Sequence, residues 1–277
     1  MKYILLSFLL LFIGCKDNNN QNNNNININD NIKPITNGTW YKPTLNTTWQ
    51  WQLLGNLNTS YTVDMYDIDL YDTNKETITN LKLSGKKVIC YFSAGSYENW
   101  REDKSEFPTE VLGNKLDGWE NEQWLDISNH KFYNIMLSRL DLAVSKGCDG
   151  VEPDNMDGYL NNTGFSLNYQ DQLNYNKFIS NEARTRGLSV GLKNDLEQIK
   201  DLVDFFDFAV NEECYQYEEC ETLSIFIEAN KPVFHVEYEN KFINDHNSLC
   251  NYSNSHNFNT LILPLDLNDE FRISCQH

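Results

Sequence analysis

From Thr48 to Leu267 the chain repeats one pattern: a short apolar run ending in acidic or polar residues, then an amphipathic stretch. The runs are Thr48–Leu53, Val63–Asp69, Lys87–Gly95, Glu122–Ile127, Gly150–Asn155, Ser189–Asn194, Phe208–Cys214, Pro232–Tyr238 and Thr260–Leu267. Between His130 and Lys146, Phe132, Ile135, Met136, Leu140 and Ala143 form a helical stripe, with Gly147 at the stop position. Tyr169 to Arg186 repeats this and closes on Gly187. Strand and helix in strict alternation predict an α/β fold, a parallel sheet covered by helices. No GxGxxG follows the first strand, as a doubly wound nucleotide-binding sheet would have it, and acidic residues recur at the ends of many different strands. That distribution predicts a single (β/α)8 TIM-type barrel, whose site is assembled from the C-terminal ends of its strands. Nine runs are one too many for eight staves. Thr48–Leu53 and Val63–Asp69 lie too close for a crossover helix, so one of them is expected to be an irregular or extra strand. There is no internal repeat and no sign of a second folded domain.

The N-terminus reads differently. After Met1-Lys2, the apolar run Ile4–Ile13 is about half the ~20 residues that a membrane-spanning helix needs, so it reads as a signal-peptide core. It ends in Phe12-Ile13-Gly14-Cys15, which resembles the lipobox of bacterial lipoproteins. The resemblance implies that residues 1–14 are a lipoprotein signal peptide and that Cys15 is lipidated. Lys16–Ile32 is mostly Asn with Asp and Gln, too polar to bury a core. Residues 15–39 are therefore expected to be a disordered tether and residues 40–277 the folded domain. The protein is expected to be exported and monomeric, held to a bacterial membrane through the lipid anchor only, and facing the periplasm or the cell exterior. Export permits disulfides among the six remaining cysteines. Cys214 with Cys220 could staple a loop and Cys250 with Cys275 could fasten the C-terminus, whereas Cys90 and Cys148, in apolar strand-like contexts, read as buried free thiols.

With 22 Lys and Arg against 40 Asp and Glu, the formal net charge is −18. This argues against nucleic acid as a partner, since phosphate binding needs clustered cations, and suits a cationic one. The most unusual stretch is Gly150-Val151-Glu152-Pro153-Asp154-Asn155. On a strand, Glu152 and Asp154 face the same way, into the barrel, with Asp154 nearer the mouth. Two carboxylates on one inner face cost solvation and repel each other, and proline is normally kept out of central strands. Glu212 ends the run Phe208-Ala209-Val210, and adjacent Glu213 must face the other way. Two carboxylates from different strand ends, converging across a mouth, are the minimum equipment for hydrolysing a glycosidic bond. Further strand ends supply Asp67, Asp69, Ser93, Asp126, Lys193, Asn194, Glu237 and Tyr238, while Trp51 and Tyr91 offer aromatic faces. No phosphate loop, GxSxG elbow, EF-hand spacing or CxxC pair is present, and no metal or organic cofactor is expected.

These stretches together resemble the glycoside hydrolase family whose type activity is endo-α-1,4-polygalactosaminidase. The matching phrases are Trp49-Gln50-Trp51-Gln52-Leu53, Tyr66-Asp67-Ile68-Asp69, Val88 to Ser96, Trp124-Leu125-Asp126-Ile127, Gly147 to Asn155, Gly191-Leu192-Lys193-Asn194-Asp195 and Val210-Asn211-Glu212. The resemblance implies a barrel that cleaves α-1,4-linked galactosamine-rich exopolysaccharide, a cationic amino-sugar polysaccharide. It implies Asp154 and Glu212 as the catalytic pair, Asp154 as nucleophile and Glu212 as general acid and then base. Trp51, Asp67, Asp69, Tyr91, Ser93, Asp126, Glu152, Asn155, Lys193, Asn194, Glu237 and Tyr238 are then the expected substrate-binding residues. A non-catalytic glycan-binding lipoprotein and an α-glycosidase of other sugar specificity are the alternatives.

Overall fold

The structure, a computed structural model, describes residues 32–276. The expected signal peptide, lipidated Cys15 and the tether up to residue 31 lie outside them.

The strands are β1 (Trp49–Gln52), β2 (Met65–Asp69), β3 (Lys87–Ser93), β4 (Ser96–Glu98), β5 (Leu112–Leu116), β6 (Trp119–Leu125), β7 (Gly150–Asp154), β8 (Ser189–Lys193), β9 (Phe208–Glu212), β10 (Val233–Glu237), β11 (Phe258–Ile262) and β12 (Ile273–Ser274). The curled main sheet runs β1-β2-β3-β7-β8-β9-β10-β11-β12, parallel throughout except for β12, which is antiparallel to β11. This is the expected (β/α)8 barrel. The C-terminal segment joins β11 to β1: Trp49 Nε1 donates to Asn259 O at 2.8 Å, Arg272 to Trp49 O at 2.8 Å, and Leu53 N to Leu267 O at 3.0 Å.

Side chains alternate between two cores. Trp49, Trp51, Met65, Ile89, Phe208, Val210, Phe234, Val236 and Leu261 fill the barrel interior. Val88, Cys90, Phe92, Val151, Val190 and Leu192 point outward. There they meet the helices, chiefly α2 (Tyr133–Lys146) and α3 (Tyr169–Thr185), each large side chain contributing about 1.5–3 kcal/mol on burial. α2 stops at Gly147, whose φ of +90° is open to glycine, and α3 starts at a capping box of Asn168 and Asp171.

Both Thr48–Leu53 and Val63–Asp69 supply true staves, β1 and β2, joined without a helix. The surplus run is Glu122–Ile127. It belongs to β6, which pairs antiparallel with β4 and β5 in a separate three-stranded sheet inserted between β3 and β7. The turn at Asp117-Gly118, with Gly118 at φ +78°, offers β6 a local partner, so it never reaches the barrel. Buried ion pairs tie the insert down. Arg101 meets Asp69 at 2.6 Å and Glu98 at 2.8 Å, and Arg139, only 1% exposed, meets Asp103 at 2.8 Å.

Two other expectations need correction. Cys90 and Cys148 are not free thiols but form a disulfide, as do Cys214–Cys220 and Cys250–Cys275. The insert lies between the first two cysteines in sequence, yet β3 and β7 are neighbours, which brings a cysteine 58 residues away alongside. The folded body also begins before Trp40. Asn181 on α3 donates to Lys33 O and accepts from Ile35 N, both at 2.9 Å, and Arg184 donates to Ile35 O. Residues 33–35 thus satisfy their backbone against a helix instead of water. Among the described residues no helix is long and apolar enough to cross a membrane.

Candidate active site

At the C-terminal mouth of the barrel the strand ends converge on one ammonium group. Lys193 Nζ, at the end of β8, lies 3.2 Å from Glu152 Oε1, 3.0 Å from Asp154 Oδ1 and 3.2 Å from Glu212 Oε2. It also stands 4.7 Å above the centre of the Trp51 ring, which floors the site. The sequence at β7 makes room for this. β7 pairs with β3 along its whole length but with β8 only at Gly150 and Val151, so Pro153, which has no N–H, sits where little is asked of the ladder. Burial pulls the pKa of Lys193 down, but Asp154, Glu212 and Glu152 together raise it well above its ordinary value. It is a fixed cation.

Asp154 is oriented by three donors: Lys193, the Tyr91 hydroxyl at 3.0 Å and the Asn155 backbone N–H at 2.8 Å. Asn155 takes a positive φ of 60° directly after the strand. Its side chain donates to Ser93 Oγ at 2.9 Å and to Ser96 Oγ at 3.3 Å. Its carbonyl lies against Gly95, where a Cβ would come within 1.7 Å of the oxygen, so only glycine admits this turn. Glu212 is held by Lys193, by Asn194 Nδ2 at 3.2 Å and by the Tyr238 hydroxyl at 2.5 Å. Its side chain is 27% exposed and that of Asp154 18%, so both carboxylates reach the solvent of the cleft.

Beneath them lie Asp67 and Glu152, both fully buried, with no well-aligned hydrogen bond to any of their four oxygens among the described residues. Burial pushes Asp67 up to about 7 and Glu152 well above the carboxylate range, and the Asp67 and Asp154 charges raise Glu152 further against the pull of Lys193. Two acids under one ammonium retain a proton at neutral pH.

The other expected residues divide. Asp69 lines the cleft but is spent on Arg101 and on the backbone N–H groups of Tyr71 and Asp72. Ser93 orients Asn155, and Tyr238 orients Glu212. Asp126 and Glu237 stand apart. Asp126 follows the insert strand β6 and accepts from Ser128 N and Oγ, capping a turn away from the mouth. Glu237 faces outward while Tyr238 faces in. Its Oε1 meets His235 Nε2 at 2.9 Å and accepts from the backbone of Tyr215 and Gln216, which secures the loop after β9. His235 also lies within 4.8 Å of the sulfurs of Cys214 and Cys220, but those sulfurs are bonded to each other and offer no thiolate to a metal.

The cleft above these groups encloses about 870 Å³. The insert supplies one wall with Trp100, Trp119 and Trp124, and Leu54 and Leu265 form part of the other. Trp100 and Trp119 are about half exposed, flat apolar faces suited to the apolar side of a sugar ring. The sequence pattern put Glu122–Ile127 among the staves and so gave no sign of this wall. It missed Asp157, which follows Asp154 by one turn, and Glu122, whose carboxyl burial raises to about 7 and which accepts from Ser96 Oγ at 2.5 Å.

Residues 30–277 match glycoside-hydrolase family GH114. No curated protein matches the chain. Among solved structures, Ega3 of Aspergillus fumigatus, determined in complex with galactosamine, is 44% identical, with 86% of this chain and 99% of that one aligned at a TM-score of 0.82. The glycoside hydrolase domain of PelA from Pseudomonas aeruginosa is 12% identical over 82% and 98% of the two chains, with a TM-score of 0.64. The α-galactosidase TtGalA from Thermus thermophilus is 9% identical over 84% and 64%, with a TM-score of 0.51. The last two show the fold alone.

The buried acids imply a pH signature. The folded state holds the Asp67 proton up to about pH 7, whereas in the unfolded chain it leaves near pH ~4. The stabilisation is therefore complete below the unfolded value and is lost as the pH rises through 7. Melting temperature is expected to fall between pH 5 and pH 8, and Asp67→Asn to flatten that fall. An unchanged pH slope in the variant would contradict this assignment.

Proposed function

The chain belongs to glycoside-hydrolase family GH114, and from that premise we propose that it is an endo-acting hydrolase of α-1,4-linked, galactosamine-containing exopolysaccharide. The observation that carries the reading is the pair Asp154 and Glu212, two solvent-reaching carboxylates on different strand ends that share one lysine. The galactosamine bound in Ega3 supports an amino sugar as the unit recognised. A net charge of −18 and an acidic mouth support a cationic chain.

In this mechanism Glu212 gives its proton to the glycosidic oxygen as the bond from that oxygen to C1 breaks. Asp154 forms a new bond to C1 from the opposite face. Glu212, now a carboxylate, then takes a proton from water, whose oxygen attacks C1 and releases Asp154. Two inversions return the original configuration. The geometry favours this route. The two carboxylate oxygens can be no further apart than 3.0 and 3.2 Å laid end to end, short of the about 6.5–9.5 Å of inverting enzymes. Lys193 stays cationic while charge moves between its neighbours, and the exposed insert tryptophans Trp100 and Trp119, not the buried Trp51 beneath Lys193, bind the sugar rings.

The protein acts outside the cytoplasm, anchored by lipidated Cys15. The signal-like N-terminus and the three disulfides, bonds that persist in oxidising spaces, support this reading.

With purified α-1,4-galactosamine polymer, the wild type is expected to release oligosaccharides, and Asp154→Asn and Glu212→Gln each to lower kcat by about 10³ or more while melting at a similar temperature. Undiminished release by either variant would overturn the catalytic assignment. For the anchor, Cys15→Ser is expected to move the protein from the membrane to the soluble fraction; membrane retention would refute lipidation at that residue.

A further inference from the structure

The carboxylates nearest the centre of the mouth are answered by donors. Asp69 has Arg101, Asp154 has Lys193 and Tyr91, Glu212 has Lys193 and Tyr238, and Glu122 has Ser96. Asp117, Glu120 and Asp266 also line the cleft without a donor, but they are exposed; Asp157 is half-buried, and its carboxylate too has no side-chain partner among the described residues.

Nor is it loose. Its carbonyl accepts from Leu160 N at 3.0 Å and Asn161 Nδ2 at 3.1 Å, and the preceding Met156 carbonyl accepts from Asn176 Nδ2 at 3.0 Å. The backbone is pinned on both sides and the charged group is left over. Burial and the nearby Asp154 push its pKa up to about 6, as expected of a carboxyl that lacks a cation of its own. Burial, and then the Asp157 charge, raise the pKa of buried Asp195 in turn.

A sugar attacked at C1 by Asp154 carries its 2-substituent on the adjacent carbon. In a galactosamine unit that substituent is an ammonium, and in an N-acetylated unit it is a neutral amide. An ammonium beside C1 also raises the energy of the positive charge that develops there in the transition state, unless an anion lies next to it. We propose that Asp157 pairs with the 2-ammonium of the sugar at the cleavage point and thereby sets the enzyme's preference for deacetylated over N-acetylated units. This rests on the amino-sugar reading above and deepens it. Asp154 and Glu212 cannot take the same role without giving up Lys193, nor Asp69 without giving up Arg101.

The test measures binding and turnover separately. In a Glu212→Gln background, binding of α-1,4-galactosamine oligomers and of their fully N-acetylated counterparts is compared with and without Asp157→Asn. The expected result is that Asp157→Asn weakens binding of the deacetylated oligomer about tenfold or more and changes the acetylated one little, the difference between a charge-assisted pair and none. Asp157→Glu should restore most of the preference. In the Glu212 wild type, the ratio of kcat/KM for deacetylated over acetylated polymer should fall by a similar factor. Equal weakening for both oligomers would mark a structural role and overturn the proposal, as would unchanged binding of the deacetylated one. If the wild type cleaves neither polymer but the binding preference still depends on Asp157, the hydrolase reading fails and the assignment of Asp157 stands.

Discussion

The mouth of this barrel is organised around the ammonium of Lys193. Three carboxylates from β7 and β9 lie within 3.2 Å of it, and none of the three could be kept so close to the others without it. Lysine suits the place better than arginine, because a compact charge on a flexible stem can be shared among oxygens in different directions. Removing Lys193, the one cation of the cluster, is expected to cost about 3–5 kcal/mol, since the buried carboxylate left behind has no other counter-charge. The surrounding architecture serves this arrangement. β8 leaves β7 after Val151, Pro153 tolerates the gap, and Trp51 closes the floor.

Asp154 and Glu212 are held from outside the barrel as well. Asp154 depends on Asn155, which depends on Ser93, Ser96 and the close approach allowed by Gly95. Glu212 depends on Asn194 and Tyr238, while Glu237 and the Cys214–Cys220 disulfide fix the loop that follows it. The inserted sheet builds a tryptophan wall over the mouth and is fastened by Arg101 and Arg139. The tryptophan wall and the carboxylate mouth thus belong to different elements tied through buried ion pairs.

The barrel was legible in the sequence because each stave carries its own period of alternation and its own polar end. The inward carboxylates of β7 were legible for the same reason: Glu152 and Asp154 are two apart on a short strand. Long-range partners were not. Nothing local to Cys90 says that Cys148 lies at the foot of the next stave, and nothing in Glu122–Ile127 distinguishes a stave from a hairpin strand of the same pattern. That one ambiguity misplaced Asp126 and hid the wall formed by Trp100 and Trp119. Glu237 was misread by parity alone, since its neighbour Tyr238 takes the inward position. Asp157 was missed because it follows the strand, where alternation no longer tells which way a side chain points.

We propose that Lys193 draws Asp154 and Glu212 close enough for a two-step displacement that retains the anomeric configuration. The most direct measurement is proton NMR of the anomeric signals during the first minutes of polymer cleavage, before mutarotation mixes them. The account predicts that the new reducing ends appear first as the α-anomer. Initial appearance of the β-anomer would contradict it.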